Sequence, residues 1–221
     1  MNSGPWNVKL LIEYVRNLDS EPTLSRINSI DRTIGVFIYH MSSARELIEK
    51  IEPSNEREQI ELIFIPEESR LNLAEIKLGI QAEVQAAVHS ARSIHDIFSQ
   101  IANSLILETP MEVAKCDIKK LSLKLGESEL KSHIDIMLGS ESFIYIDSFV
   151  NTIKHRDLVK SQATLDLREQ RSGIRFSSFE YRGKRFPALW AIQVLENALE
   201  VKNNIVKSGK LLNYELGISD V

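Results

Sequence analysis

Apolar residues recur at steps of three and four along most of the chain. Val8, Leu11, Ile12 and Val15 form one such stripe and predict a short helix over 5–18. Pro22 is expected to break the chain. Thr23 or Ser25 then caps a second helix by accepting a bond from a free backbone N–H. That helix carries Ile27, Ile30, Ile34, Phe37, Met41, Leu47 and Ile51, and Pro53 stops it. Residues 54–65 read as a short helix. A third long stripe runs through Leu71, Ile76 or Leu78, Ile80, Val84, Val88, Ile94, Phe98 and Ile101, which predicts a helix over 69–107. Shorter pieces fill 111–138. Ser140 caps a further helix over 141–159, whose apolar face is Phe143, Ile146, Phe149, Val150 and Ile153.

The period then changes from about 3.6 to two. Leu165 and Leu167 alternate with Thr164, Asp166 and Arg168, and Ile174 and Phe176 alternate with Arg175 and Ser177. Ser172-Gly173 and Arg182-Gly183 are the turn signals, and Ser177-Ser178 marks a bulge between opposite phases. Pro187 is expected to open a last helix with Leu189, Ile192, Leu195 and Leu199, ending near 207. The expected fold class is mainly α: an up-down bundle of four main helices, with a small antiparallel β-ribbon over 160–186 inserted before the last helix. Residues 1–221 form one domain in this reading, and 208–221 are a weakly structured tail.

Composition narrows the setting. The chain has 221 residues, a 26% charged fraction and ample Leu and Ile, which suit a folded domain rather than a disordered one. No apolar run approaches the roughly 20 residues of a membrane span. Met1 to Leu11 lacks a signal peptide's pattern. A lone Cys116 excludes an internal disulfide and a multi-cysteine zinc site. These features predict a cytoplasmic protein without membrane contact, metal or cofactor.

Charge is unevenly spread. Residues 154–185 hold nine bases and four acids, against a net charge of -4 for the whole chain. A basic ribbon of this kind attracts phosphates, and Tyr181 and Phe186 offer stacking surfaces for bases. It also suits an edge strand kept from aggregating by its charges.

The chemistry-bearing residues lie on two helices. Asp147, Asn151 and His155 are spaced by four, so they share one face. Lys154 and Arg156 flank His155, disfavour its imidazolium and leave a neutral base able to accept a proton. The same two cations are candidate phosphate ligands. A plain helix C-terminus, where cations meet the dipole, has the same composition. On the third long helix His89, Arg92, Asp96, Ser99 and Asn103 make a polar stripe beside the apolar face, with His95 partly buried next to it. His95, Asp96, Asn103 and Asp147 are pocket candidates. The alternative is that His95 is a core histidine and Asp96 pairs with Arg92. Lys115, Lys119 and Lys120 around Cys116 would favour its thiolate, but without a positioned His the expected reading is a plain thiol.

Asn151-Thr152-Ile153-Lys154-His155 near the end of a late helix in a bundle resembles the HEPN superfamily. The combination of Phe149-Val150-Asn151 with Lys154-His155-Arg156 before a β-ribbon is similar to bacterial members of it. The resemblance implies an all-α, often dimeric protein of a prokaryotic toxin–antitoxin, defence or stress system, and many members are metal-independent ribonucleases. It implies His155 as proton carrier and Asn151 as its companion. The family's motif Arg falls on Val150 here. Lys154 lies only about 40° from Val150 around the helix and Arg156 about 120°, so Lys154 is the better geometric substitute. The expected partners are RNA or a nucleotide, a second copy of the chain, and a cognate protein. A dimeric interaction module and a small-molecule sensor, with a pocket of His95, Asp96, Asn103 and Asn151, remain open beside the RNA reading.

Overall fold

The computed structural model describes residues 6–53, 55–64, 67–155 and 157–218. The chain is mainly helical, with small antiparallel sheets before the last helix. Its helices are α1 (Val8–Asn17), α2 (Glu21–Glu49), α3 (Glu56–Glu61), α4 (Arg70–Ile106), α5 (Ile118–Lys124), α6 (Glu129–Gly139), α7 (Glu141–His155) and α8 (Ala191–Glu215). None among the described residues is long and apolar enough to cross a membrane. The chain divides into two compact units. One comprises Met1–Val36, Ser90–Ile144 and Leu199–Val221, and the other Phe37–His89 and Tyr145–Ala198. The helices α2, α4, α7 and α8 each contribute residues to both.

Several boundaries differ from the sequence reading for identifiable reasons. Pro22 does not break the chain. It lies in the first turn of α2, where no helical N–H is required, and Thr23 and Ser25 fall inside the helix. The Ser20 carbonyl accepts from Leu24 N–H at 3.0 Å. In α4 the buried stripe starts at Leu73, while Leu71 and Leu78, seven residues apart, lie exposed together. Helix α7 ends at His155 rather than 159.

In the first unit, Leu11 and Val15 of α1, Ile27 and Ile30 of α2, and Ile94 and Phe98 of α4 are fully buried. The segment expected as a weak tail is helix through Glu215, with Ser208, Leu211, Leu212 and Asn213 buried. Trp6 explains this. Its indole N–H donates to Asn213 Oδ1 at 3.3 Å, and Asn213 Nδ2 donates to the Asn7 carbonyl at 2.9 Å. A Cβ at position 209 would overlap the Trp6 ring, so only Gly209 admits it. Helix α8 closes with Gly217 at φ 70° and Ile218 N–H bonded to the Asn213 carbonyl at 2.9 Å, a Schellman ending.

The second unit holds the strands β1 (Ser161–Asp166), β2 (Arg171–Phe176), β3 (Phe179–Tyr181), β4 (Lys184–Phe186) and β5 (Leu189–Trp190). They form two sheets, one ordered β1-β2-β5 and the other β3-β4, all antiparallel. Ser177-Ser178 is therefore the break between sheets rather than a bulge within one. Ser172-Gly173 lies inside β2. The turn falls at 167–170, where Asp166 Oδ1 accepts from Arg168 and Glu169 N–H at 3.0 and 3.2 Å. Leu189-Trp190 leaves the expected helix to pair with Arg175 and Phe176, so α8 begins at Ala191. Gln193 Oε1 reaches back to accept from Trp190 N–H at 2.9 Å. Beneath the sheets, Phe149 packs edge-on against Phe176 and Phe179, and Phe179 stacks on Phe186 at 4.9 Å.

Candidate functional site

Helix α7 carries the predicted motif at its C-terminal end, in the second unit. Asp147 is buried, Asn151 half-buried, and Lys154 and His155 are exposed. Asn151 Nδ2 donates to the Asp147 carbonyl at 2.7 Å. Its amide nitrogen is thus held by its own helix, leaving Oδ1 to act elsewhere. Val150, where the resembling family places Arg, is buried beside Phe149. A guanidinium at that position would have to enter the core. Among the described residues, His155 makes no hydrogen bond or ion pair. Arg156 lies outside the described residues.

Another histidine of the same unit, His89, lies on α4. It is half-buried, and burial first, then the Lys154 ammonium, lowers its pKa below the ordinary imidazole value. The sequence showed His89 as the start of a polar stripe. It did not show that the charge of Lys154 on α7 acts on this end of the stripe.

The remaining pocket candidates belong to the first unit and are engaged there. His95 is fully buried, with Nε2 3.3 Å from the Val201 carbonyl and its ring tilted over Phe143 at 5.2 Å. Arg92 donates to Asp96 at 2.6 Å. Asn103 brackets the chain after α4. Its Nδ2 donates to the Met111 carbonyl at 3.0 Å and its Oδ1 accepts from Met111 N–H at 2.8 Å. Cys116 is buried and donates to the Ser99 carbonyl at 3.4 Å. Burial raises its pKa, which agrees with the plain thiol expected of a cysteine without a positioned His.

The basic segment sorts into engaged and displayed cations. Arg171 and Arg175 each stand 5.0 Å from the Trp190 ring, and Arg175 also donates to Asp166 at 3.0 Å. Trp190 itself is buried and donates to Glu169 at 2.6 Å. Lys154, Lys160, Arg168, Arg182, Lys184 and Arg185 are exposed. The β3–β4 turn, with Arg182 at φ 50° and Gly183 at φ 75°, is the two-residue form that matches strand twist and carries Arg182 at its tip. Phe186 is not a stacking surface, because it is buried against Phe179 and Tyr145. Tyr181 remains half-buried with Arg182 over its ring at 5.3 Å.

A shallow surface pocket lies in the same unit beside Ile48, Glu52, Arg171 and Trp190. None of the sequence-predicted site residues lines it. Comparison of the chain with protein-family models, curated proteins and solved structures gives no match.

Proposed function

We propose that this chain is a HEPN-like, RNA-binding protein of a prokaryotic defence, toxin–antitoxin or stress system, working in the cytoplasm. Its four long helices α2, α4, α7 and α8 are read as an up-down bundle. The observation that carries the reading is the set of exposed cations on the second unit, Lys154, Lys160, Arg168, Arg182, Lys184 and Arg185, in the unit that also holds the exposed His155. Phosphates are the ligand such a set attracts, and single-stranded RNA adds bases for Tyr181 to meet.

Binding is tested by fluorescence anisotropy of labelled RNA across salt concentrations. Each phosphate contact on a single strand contributes a slope of about -0.7 in log K against log salt. Replacing Arg182, Lys184 and Arg185 by Ala should therefore flatten the slope by about 2. An unchanged slope removes these residues from the interface.

Cleavage is a further step in the same reading. The ribose 2′-OH attacks the adjacent phosphate, His155 accepts its proton, and the 5′-oxygen leaves with a proton from solvent. EDTA-resistant cleavage that disappears in His155→Ala supports it. RNA that is bound but stays intact reduces the protein to a binder.

One observation favours a dimeric interaction module. Leu71 and Leu78 are 80% and 69% exposed on one face of α4, and Phe64, six residues before the helix starts, is 75% exposed. Heptad spacing of this kind suits pairing with a second copy or a cognate protein. If the chain elutes as a dimer, Leu71→Glu with Leu78→Glu should return it to a monomer. A dimer that persists places the interface elsewhere.

A further inference from the structure

Strand β1 stands at the edge of its sheet, and among the described residues β2 is the only strand paired with it. The pairing shows which main-chain groups of β1 are in use. Ser177 N–H donates to the Lys160 carbonyl at 2.8 Å, next to the facing residues Ser161 and Phe176. Bonded pairs alternate along an antiparallel ladder. Gln162, Thr164 and Asp166 therefore bond to β2, while Ser161, Ala163 and Leu165 turn their N–H and C=O groups outward. Those outward groups have no hydrogen-bond partner among the described residues.

The edge lacks the usual protection. Edge strands are commonly blunted by Lys, Pro or a bulge. Residues 161–166 contain neither Lys nor Pro, and their register with 171–176 runs without a skipped residue. Leu167 follows at 80% exposure. The strand is anchored at its start, where Ser161 Oγ donates to Gln81 Oε1 of α4 at 2.7 Å. Its charges sit at the ends, with Lys160 on one side and Asp166 and Arg168 on the other.

We propose that the outer edge of β1 docks the β1 of a second copy, the two strands pairing antiparallel about a two-fold axis at Ala163. Outward groups face one another only when the axis passes through a residue. With the axis at Ala163, Ser161 meets the second copy's Leu165 and Ala163 meets its own equivalent, so every outward group finds a partner. Lys160 then falls opposite the second copy's Asp166 at both ends of the pairing. With the axis at Thr164, Lys160 would face Arg168, and like charges directly opposite are destabilising. With the axis at Gln162, Leu165 would face Val159, outside the strand. Asp166 already accepts from Arg168 N–H, Glu169 N–H and Arg175. That leaves one of a carboxylate's roughly four lone-pair sites for the second copy's Lys160. The pairing depends neither on the RNA reading nor on the Leu71–Leu78 face of α4.

Ala163→Cys tests the register in the full chain. Residues in a bonded pair stand about 5.5 Å apart at Cα, within disulfide range. Mild oxidation should give a covalent dimer on a non-reducing gel, whereas the unchanged chain, whose Cys116 is buried, should stay single. Gln162→Cys and Thr164→Cys should cross-link severalfold more slowly. Lys160→Glu added to Ala163→Cys sets acids opposite acids and should slow the cross-link severalfold without loss of helical circular dichroism. No cross-link, equal rates at the three positions, a faster rate through Thr164→Cys, or indifference to Lys160→Glu overturns the pairing. Leu71→Glu with Leu78→Glu should leave the cross-link intact. Its loss would assign the contact to the α4 face and overturn the β1 edge.

Discussion

Tyr145 shows at the scale of one residue how the second unit is organised. The residue is only 5% exposed, and its hydroxyl has no hydrogen-bond partner among the described residues. Burial raises its pKa, so it stays a neutral phenol. The ring packs edge-on against Phe179 and Phe186, which explains why an aromatic stands there but not why it carries a hydroxyl. An unsatisfied buried hydroxyl costs about 1–3 kcal/mol. Tyr145→Phe should accordingly leave thermal stability unchanged or raise it by about 1 kcal/mol. A loss of that size would mean that the hydroxyl has found a partner. Gly209 makes the opposite case in the first unit. Because Trp6 occupies the space of its missing Cβ, Gly209→Ala should cost about 1–3 kcal/mol, read as a lower melting temperature.

Among the elements, α8 departs furthest from expectation. Leu212 is fully buried in the segment that the pattern suggested was loose. Leu212→Ala should cost about 2–5 kcal/mol, and about 2–4 °C in melting temperature per kcal/mol for a chain of this length. A change of under 1 °C would restore the weak-tail reading. The long helices were legible because their apolar stripes persist over many turns. The end of α8 was not, because Gly209 reads as a breaker until Trp6, about 200 residues earlier, is placed against it. Strand β5 escaped notice for a related reason. Two residues, Leu189 and Trp190, carry no period, and their pairing with Arg175 and Phe176 is a long-range fact. For the candidate site, the helix face of Asp147, Asn151 and His155 was readable from spacing. That the charge of Lys154 acts on His89 of α4 was not, since it depends on the tertiary fold. Of the stripe members, Asp96 pairs with Arg92, as one of the two sequence readings had it, and Ser99 and Asn103 are bound to their own neighbourhood.

For the whole molecule, two half-buried histidines set a pH dependence. Burial is the first cause lowering the pKa of both His89 and His133. Their folded values lie below the unfolded value of about 6.5, so the unfolded chain takes up protons first as pH falls. Stability should therefore decrease as pH drops below about 6.5, and differential scanning fluorimetry should show a lower melting temperature at about pH 5.5 than at about pH 7.5. His89→Gln with His133→Gln should flatten that change. An equal loss in the double variant would assign it to other groups. The division of the chain has a consequence for synthesis. The first unit takes its parts from the beginning, the middle and the last stretch of the described sequence, and Trp6 waits for Asn213 and Gly209. On the ribosome it cannot close until residues 199–218 have emerged, whereas every segment of the second unit is out by residue 198. The nascent chain therefore carries an open, apolar half for most of its translation, and is then exposed to chaperones and proteases. A translation stall before position 209 should yield a chain in which the Trp6 segment is cut readily by protease, and release of the full chain should end that sensitivity.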